Sequence, residues 1–554
     1  MPSSIKLCIT VQANLAAKYS ASALARIDKA LQAWIKADAA RGITTLHLPL
    51  DDAAAMKGHD VAAITGRATP VKVKRALDAL CRKLQPEYVV ILGGDEVVPM
   101  FRVPNPSHDP NGDTDRDVPT DNPYACSTAY SARNRKSYLV PDRVLGRIND
   151  LPGSGDANWL VGYLKRATAW KPRARSHYDA AYAVCCDEWQ GAGEACMQYL
   201  GLPAGDLMIS PPTVDATAPA RNRLARELHM IKCHGAELDA RFYGQKGNDF
   251  PAVLDSATLK PRLRPGTLAA AMCCYGAQVY APGDPAAQPA NQWSIAATYL
   301  RQGAVGFAGA TKIAWVGVQQ MACADWIVCS YLKGALNGAS LGRALLEAKQ
   351  DYVKWLASQG WPTDQADEKT LIEFVLLGDP SLHPVMAPAV PAMKAVAAAA
   401  RRVGAPPVSP LQVQERRQRR ELRIEMASQI RRTLPARHEA AAPRPDEAKA
   451  LFSAVQSMFG KGALNLLDPG YVHAEKLVRP PRPAPAAAAA ATAAARPTAA
   501  RAAASAPAAA AAGESIEYYW TGRKVVKGQA RIQLLKVETD TQGTIVRTRL
   551  LHSS

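Results

Sequence analysis

The sequence predicts an α/β fold with mostly parallel sheets sandwiched by helices in two successive subdomains, followed by a flexible tail with a small β module. Through residues 1–385, short apolar runs alternate with amphipathic helical segments. The runs are continuously apolar, which is typical of strands buried on both faces of a parallel sheet. The chain has 554 residues, too many for one ordinary domain. We therefore expect two α/β units and a separate tail.

Each strand prediction follows from a short apolar run bounded by turn-forming residues. The predicted strands are 5–10, 44–50, 88–94, 180–186, 228–233, 267–274 and 304–310. Helical periodicity between the runs predicts helices at 22–41, 70–84, 157–169, 319–335 and 339–358.

Changes in composition divide the chain into five parts. A Pro/Asp/Asn-rich segment at 103–125 and a linker near 171–176 separate the two α/β units. After residue 385 the sequence becomes rich in Ala and Pro, which cannot build a packed core. The predicted parts are an N-terminal α/β subdomain (1–170), a second α/β subdomain (171–385), a linker with a basic helical region (386–479), a disordered Ala/Pro-rich linker (480–513) and a small β module (514–554).

The tail carries most of the positive charge. Residues 401–554 contain 25 Lys and Arg against 12 Asp and Glu, so they supply +13 of the net charge of +18. A basic helix is predicted at 411–433, a second helix at 445–459 and a β-hairpin near the end. Aromatic residues for base stacking are absent from the basic helix, so we do not expect nucleic-acid binding. We expect instead that the tail tethers a partner protein.

Other classes of protein are not indicated. No apolar run is long enough to cross a bilayer, and the N-terminus lacks a signal-peptide pattern, so we expect a cytoplasmic protein. The eleven cysteines show no zinc-type spacing and are expected to be small buried residues in a reducing compartment. We expect neither a metal nor a cofactor.

Two predicted strands end in residues that suit nucleophilic catalysis. The strand at 228–233 is followed by His234 and Gly235, and the strand at 267–274 ends in Cys273 and Cys274. Reactive side chains of a parallel sheet collect beyond the carboxyl ends of its strands. A thiol that attacks a carbonyl needs a base within reach and N–H donors for the oxyanion. Alone, each residue suits a structural role better; together and in this order they suggest a dyad.

The segments around these strands resemble the gingipain family of caspase-like cysteine peptidases. In that family a strand ending in His-Gly precedes a strand ending in Ala-Cys, with a glycine nearby. The resemblance extends over roughly residues 85–385, and includes "YVVILGGDEVVP", "PTDNPYACS", "VPDRVLGRI", "GAVGFAGATKIAW" and "LLGDPSL". It implies a caspase/gingipain-like fold and cysteine endopeptidase activity on protein or peptide substrates.

The resemblance also implies roles for individual residues. His234 would be the general base, and Gly235 would donate an oxyanion N–H. Caspase-type spacing selects Cys274 as the nucleophile, whereas gingipain spacing selects Cys273; we favour Cys274. Asp187 or Glu188 would orient the imidazole. Trp315 would form an aromatic wall of the substrate pocket, and Glu194 would be a pocket carboxylate.

Two hypotheses follow. The first is a cysteine endopeptidase that performs limited intracellular proteolysis with Cys274 and His234. The second is a catalytically inactive caspase-like scaffold that binds partners through its core and basic tail. The sequence retains both the His-Gly and the Cys-Tyr-Gly motifs, which favours the peptidase. A serine hydrolase is not indicated, because no G-x-S-x-G motif follows a predicted strand.

Overall fold

The computed structural model describes residues 4–215, 220–359, 363–386, 421, 423–431, 437–459, 462–478, 514–526 and 529–553. In chain order, the strands are β1 (Ser4–Thr10), β2 (Ile43–Pro49), β3 (Tyr88–Leu92), β4 (Phe101–Pro104), β5 (Asp117–Thr120), β6 (Val144–Ile148), β7 (Ala181–Cys186), β8 (Leu207–Ser210), β9 (Leu228–Lys232), β10 (Arg241–Tyr243), β11 (Ala252–Asp255), β12 (Leu268–Ala271), β13 (Gly306–Ala310), β14 (Trp315–Gly317), β15 (Phe374–Leu377), β16 (Arg437–Ala441), β17 (His473–Val478), β18 (Glu514–Val526), β19 (Gln529–Thr539) and β20 (Ile545–Ser553).

The helices cover the faces of the sheet and the tail. They are α1 (Gln12–Lys18), α2 (Ala21–Ala40), α3 (Ala53–Lys57), α4 (Pro70–Leu84), α5 (Asn122–Ala125), α6 (Lys136–Leu139), α7 (Asn158–Ala169), α8 (Gln190–Leu200), α9 (Ala220–Arg223), α10 (Ser256–Leu259), α11 (Ile295–Arg301), α12 (Ala324–Leu336), α13 (Leu341–Ser358), α14 (Gln365–Glu373) and α15 (Pro445–Phe459).

A ten-stranded sheet runs through both α/β units. Its strand order is β2-β1-β3-β6-β15-β13-β12-β9-β7-β8. Neighbours pair in parallel throughout, except that β15 pairs antiparallel with β13. The sheet therefore consists of two parallel blocks of opposite direction that meet at β15 and β13. The predicted α/β class with mostly parallel strands is confirmed, but the two units share one sheet and one apolar core instead of having separate ones.

The boundary strand β15 is held by the motif that follows it. Asp379 of "LLGDPSL" accepts hydrogen bonds from Lys6 on β1 (2.9 Å) and from the Trp34 indole on α2 (3.0 Å). Lys6 also contacts Asp38, and the side chains of all three charged residues are fully buried. A buried charge requires partners of this kind, so the motif joins the end of the second unit to the first strand of the first unit.

The C-terminal module is larger than the predicted 514–554 module. A six-stranded sheet has the order β14-β20-β19-β18-β17-β16, so it takes two strands from the predicted linker region and β14 from the second α/β unit. Helix α15 packs on this sheet through a separate apolar cluster that includes Leu451, Phe452, Trp520 and Leu535. We call residues 437–459, 462–478, 514–526 and 529–553 the C-terminal module. The predicted flexible linker at 480–513 lies outside the described residues.

The described part of the basic helix packs on the first α/β unit. Residues 423–431 are helical, and the rest of the predicted helix apart from residue 421 lies outside the described residues. Arg423 pairs with Glu87 at 3.2 Å, and Arg431 pairs with Asp142 at 3.0 Å. These arginines therefore bind carboxylates of the chain itself.

Within the described ranges, no helix has the length and apolarity needed to cross a membrane. The same part of the chain holds no group of three or more His, Cys, Asp or Glu side chains arranged to bind a metal ion.

Candidate active site

His234 and Cys274 both follow the ends of β9 and β12, which are neighbouring parallel strands. Their pairing ends at Ile231 and Ala271, and Cys273 and Cys274 lie in the bend and turn that follow β12. The Met272 amide continues the ladder by donating to the Ile231 carbonyl at 2.8 Å. Both candidate residues thus leave the sheet at the same edge, as parallel strands require.

The imidazole of His234 is buried between aromatic rings. The ring centroids of Trp189 and Phe250 lie 4.5 Å and 5.3 Å from it. Its Nε2 lies 2.6 Å from Oε1 of Gln245, an oxygen that can only accept, so Nε2 carries the proton and Nδ1 has the lone pair in the neutral ring. Burial lowers the pKa of His234 to about 4, although the Gln245 hydrogen bond acts in the opposite direction.

Gln245 reaches His234 through local backbone pairing. The His234 and Tyr243 backbones exchange two hydrogen bonds of 2.9 Å, which fold the chain after β9 back on itself. Gln245 follows two residues after Tyr243. Sequence analysis missed this residue, because an amide after a short strand has no pattern that distinguishes it from a surface glutamine.

The Cys274 thiol is also buried, with 5% of the residue exposed. Its sulfur accepts a hydrogen bond from the Ala314 amide (3.3 Å). Ile313 and Trp315 belong to the same apolar cluster, in which the other members include side chains of the C-terminal module. Burial raises the pKa of the Cys274 thiol above its usual range.

Cys273 faces a different environment. Its side chain is fully buried in the main core, its sulfur lies 3.9 Å from the Ile231 carbonyl, and its nearest titratable neighbours include Cys186 and Cys233. Burial raises the pKa of this thiol well above its usual range. The position fits a packing role, although the Cys273 Cβ also lies near Gly235, 3.3 Å from where a Cβ on that glycine would be.

Gly235 and the nucleophile loop touch through their backbones. A Cβ atom placed on Gly235 would lie 2.0 Å from the Cys274 carbonyl oxygen, so only glycine fits there. Within the described residues, the amides of Gly235 and Cys274 donate to no hydrogen bond. Unsatisfied N–H groups next to a thiol are what an oxyanion hole requires.

Asp115 organises the loop that follows Cys274. Its carboxylate accepts from the Tyr275 hydroxyl at 3.0 Å and from the Ile313 amide at 3.1 Å, and it pairs with Lys312 at 3.2 Å. Tyr275 has φ of 55°, a left-handed conformation that costs energy in a residue other than glycine. The Asp115 contact therefore fixes a strained turn directly after Cys274, from a loop about 160 positions earlier in the chain.

The predicted orienting carboxylates have other partners. Glu188 accepts from the Gly247 amide at 2.8 Å and lies 3.4 Å from Arg531, while Asp187 pairs with Lys246 at 3.3 Å. The side chain bonded to the His234 ring is Gln245 instead. The sequence suggested only the charged residues that follow β7, whereas this glutamine is brought to the ring by a hairpin.

The two predicted pocket residues differ in position. Trp315 begins β14 and is 1% exposed within the cluster around Cys274, which is compatible with an aromatic wall. Glu194 is exposed on α8 and accepts from Gln190 at 2.7 Å. A cavity of about 560 Å³ adjoins β14, and its lining includes Gln319, Trp326 and Arg549 but not Glu194. The structure therefore gives no support for Glu194 as a pocket carboxylate.

A buried ion pair holds β14 in place. Lys232, the last residue of β9, lies 2.6 Å from Asp325 and donates to the Gly317 carbonyl at 3.0 Å. Asp325 accepts from the amides of Gly317 (2.8 Å) and Ala322 (3.0 Å). The Lys232–Asp325 pair therefore holds β14, the strand next to Cys274, in position.

Part of the chain matches a known family of peptidases. Residues 255–385 match the sequence model of peptidase family C25. This is the gingipain family of cysteine peptidases, and the matched segment contains Cys273, Cys274 and Trp315 but begins after His234.

A solved structure described as "Structure of Protease" is similar to the chain at 14% sequence identity. The similarity covers 69% of this chain and 79% of the other, with a TM-score of 0.46. A comparison with curated proteins found no match.

Proposed function

We propose that the protein is a cysteine endopeptidase in which Cys274 is the nucleophile and His234 is the general base. One observation supports the proposal: His234 and Cys274, the latter inside the C25-matching segment, follow the ends of the adjacent parallel strands β9 and β12. The contact between Gly235 and the Cys274 carbonyl places the two loops against each other. Cys274 is preferred over Cys273 because the latter lies in the main core.

The proposed chemistry follows from the tautomer of the imidazole. Gln245 keeps the proton on Nε2, so Nδ1 of His234 is the nitrogen that accepts the thiol proton. The thiolate then attacks the peptide carbonyl carbon, and the amides of Gly235 and Cys274 bind the oxyanion. The imidazolium returns its proton to the departing amine as the C–N bond breaks. Water, deprotonated by the same imidazole, hydrolyses the thioester and restores the thiol.

We further propose limited proteolysis in a reducing compartment. Both His234 and Cys274 are buried in the described state. Even an unfolded substrate protein would therefore not reach these residues freely. The eleven cysteines are all free and buried, which suits a reducing environment.

A panel of fluorogenic peptides with Arg, Lys, Asp or Asn before the cleaved bond tests the proposal. We expect Cys274→Ala and His234→Ala each to lower kcat/KM by at least about 1,000-fold, because both groups take part in bond formation. Cys273→Ala is the matched control and should stay within about tenfold of the wild type. If Cys273→Ala abolishes cleavage and Cys274→Ala does not, the nucleophile is misassigned. The peptides are also tested against a chain from which the C-terminal module has been removed. If neither this chain nor the full-length chain cleaves any peptide, the protein is an inactive scaffold.

A further inference from the structure

Strand β20 of the C-terminal module pairs with β14, the short strand beside Cys274. It pairs antiparallel with β14, so that Ser553 lies opposite Trp315, His552 opposite Val316 and Leu551 opposite Gly317. Trp315 directly follows Ala314, whose amide contacts the Cys274 sulfur. A strand added to a free sheet edge is a common way of binding an extended peptide. The chain therefore supplies its own strand at the position next to the thiol.

Apolar side chains of the module cover the thiol. Four residues of the module complete the cluster around Cys274, and each is at most 6% exposed. They are Tyr519, Ile532, Leu534 and Leu551. A peptide carbonyl cannot reach the sulfur while these side chains remain in place.

An ion cluster fixes β20 to the core. The Arg549 guanidinium lies 2.6 Å from Asp364 and 2.9 Å from Asp367, and Arg547 and Lys536 reach Asp364 at 3.0 Å and 2.7 Å. Both acids are fully buried, and the three cations lower the pKa of Asp364 despite its burial. Removing one partner from such a cluster leaves buried charge without compensation.

The module also closes the histidine side of the site. The Trp189 indole, which packs on His234, donates to Nδ1 of His552 at 3.2 Å. Arg531 donates to the Gly247 carbonyl at 2.7 Å, just beyond Gln245. The environment that lowers the His234 pKa and raises the Cys274 pKa depends on this cover, and it disfavours the ion pair a thiolate needs.

The module is built as a separate body. It has its own apolar core between α15 and its sheet, and a single core strand of three residues, β14, joins that sheet. The cavity of about 560 Å³ lies between Gly317–Ala322 of the core and residues 548–551 of β20. The contact thus combines polar anchors with an incompletely filled interface, which suits an occupant that can leave.

We propose that the C-terminal module is a built-in inhibitor of the candidate site, in which β20 takes the place of an extended peptide and Arg549 takes the place of a basic side chain bound by Asp364 and Asp367. The inference rests on the proposed peptidase function. It implies that the site accepts an extended peptide with an Arg or Lys two residues before the position opposite Gly317.

Alkylation of Cys274 by iodoacetamide, followed residue by residue with mass spectrometry, tests whether the module covers the thiol. Arg549→Glu places a carboxylate against Asp364 and Asp367 and should speed Cys274 alkylation at least tenfold. Lys524→Glu makes the same charge change at an exposed position of the module and should alkylate like the wild type. Equal protection of Cys274 in all three chains would overturn the proposal.

Folding is monitored by Cys8, which is fully buried in β1. If Cys8 is also alkylated in Arg549→Glu, the variant has unfolded and hydrogen exchange of the wild-type chain decides instead. There, β14 and β20 should exchange together and at least about 100-fold faster than β9 and β12. Exchange of β20 as slow as that of β12 would overturn the proposal.

Two further measurements separate this inference from the peptidase assignment. A synthetic peptide of residues 545–553 should restore protection of Cys274 in Arg549→Glu, and the same peptide with Arg549→Glu should not. Failure of the first peptide to protect would refute binding of a basic strand. Rapid alkylation of Arg549→Glu without Cys274-dependent peptide cleavage would support the cover and refute the peptidase. If untreated Arg549→Glu also cleaves peptides faster than the untreated wild type, both proposals are supported.

Discussion

Gly235 is the point at which the loops after β9 and β12 come into backbone contact. Its α-carbon faces the Cys274 carbonyl so closely that a methyl group has no room. The conformation of Gly235 is not left-handed, so the requirement for glycine comes from this contact alone. One side-chain atom here would push the Cys274 backbone away from the loop that follows His234.

We expect Gly235→Ala to destabilise the fold by about 1–3 kcal/mol through overpacking and to lower peptidase activity more than stability accounts for. Gly205→Ala is the matched control, because a Cβ at Gly205 meets no atom within 4 Å. Chemical unfolding measures the first effect and kcat/KM the second. Wild-type stability and activity in Gly235→Ala would contradict the contact.

Gln245 offers a test of the orienting interaction. Replacing its amide by a carboxylate, Gln245→Glu, should raise the pKa of His234 by about 1–3 units, because a nearby negative charge favours the protonated ring. The acid limb of the pH–kcat/KM profile should move to higher pH. Gln190→Glu, on the exposed face of α8, should leave the profile unchanged. An unmoved profile in Gln245→Glu would show that this side chain does not act on the imidazole.

At the scale of single residues, the sequence predicts those that follow strand ends and misses those brought in by loops. His234, Gly235 and Cys274 could be proposed because parallel strands deliver their carboxyl ends to one edge. Gln245 and Asp115 could not, since a hairpin brings the first to the site and a loop about 160 positions away brings the second. Their side chains are informative only after the chain has folded.

At the scale of elements, β14 depends on the ion pair between β9 and α12. Asp325 binds Lys232 and two amides of the chain around β14, with no exposed side-chain surface on either charged group. The strand has only three residues and could not hold its position through backbone pairing alone. The Lys232–Asp325 ion pair therefore holds β14, the strand with which β20 pairs, in position.

Asp325→Ala should lower the free energy of unfolding by about 3–5 kcal/mol, because it leaves the Lys232 ammonium buried without its partner. The combined change Lys232→Met with Asp325→Leu should recover most of this loss. Asp351→Ala removes an acid from an exposed pair with Lys354 and should change stability by less than about 1 kcal/mol. Denaturant unfolding of the wild type, the two single variants and the double variant provides the comparison. Equal losses of unfolding free energy in Asp325→Ala and Asp351→Ala would show that the Lys232–Asp325 pair does not hold β14.

Elements with strong local signals were predicted well, whereas short strands of the tail were not. Helix α4 and the β19–β20 hairpin follow directly from periodicity and turn residues. Strands β16 and β17 were missed because β16 pairs with β17 beyond helix α15, and β17 pairs with β18 across a long Ala/Pro-rich segment; pairing at such distances leaves little local pattern. The larger six-stranded sheet is a consequence of tertiary pairing.

At the scale of the whole molecule, the arrangement in which the C-terminal module covers Cys274 depends on two neutral imidazoles. Burial lowers the pKa of His234 to about 4 and that of His552 to about 3, and Arg531 contributes to both shifts. Lys232 also lowers the pKa of His552. In the unfolded chain both rings titrate near about 6.5, so the unfolded state binds more protons between about pH 4 and 6.5. Stability therefore falls as the pH decreases through this window.

We expect the free energy of unfolding to fall between pH 7.5 and pH 5, with about 2 kcal/mol of the loss due to His552. His552→Gln removes that titration and should flatten the slope by this amount. Urea unfolding of both chains at the two pH values measures the difference. If the unfolding free energy changes equally with pH in both chains, His552 is already solvated in the native state.

The antiparallel junction between β15 and β13 has a consequence for any attempt to divide the protein. Strand β15 comes from the second half of the sequence but lies beside β6, with Leu377 opposite Arg147. A fragment ending near residue 170 would lack that neighbour and expose β6 as an unpaired, aggregation-prone border. Co-expressed fragments divided near residue 170 would have to associate to complete the shared sheet, so this boundary suits fragment complementation and does not separate two independent proteins.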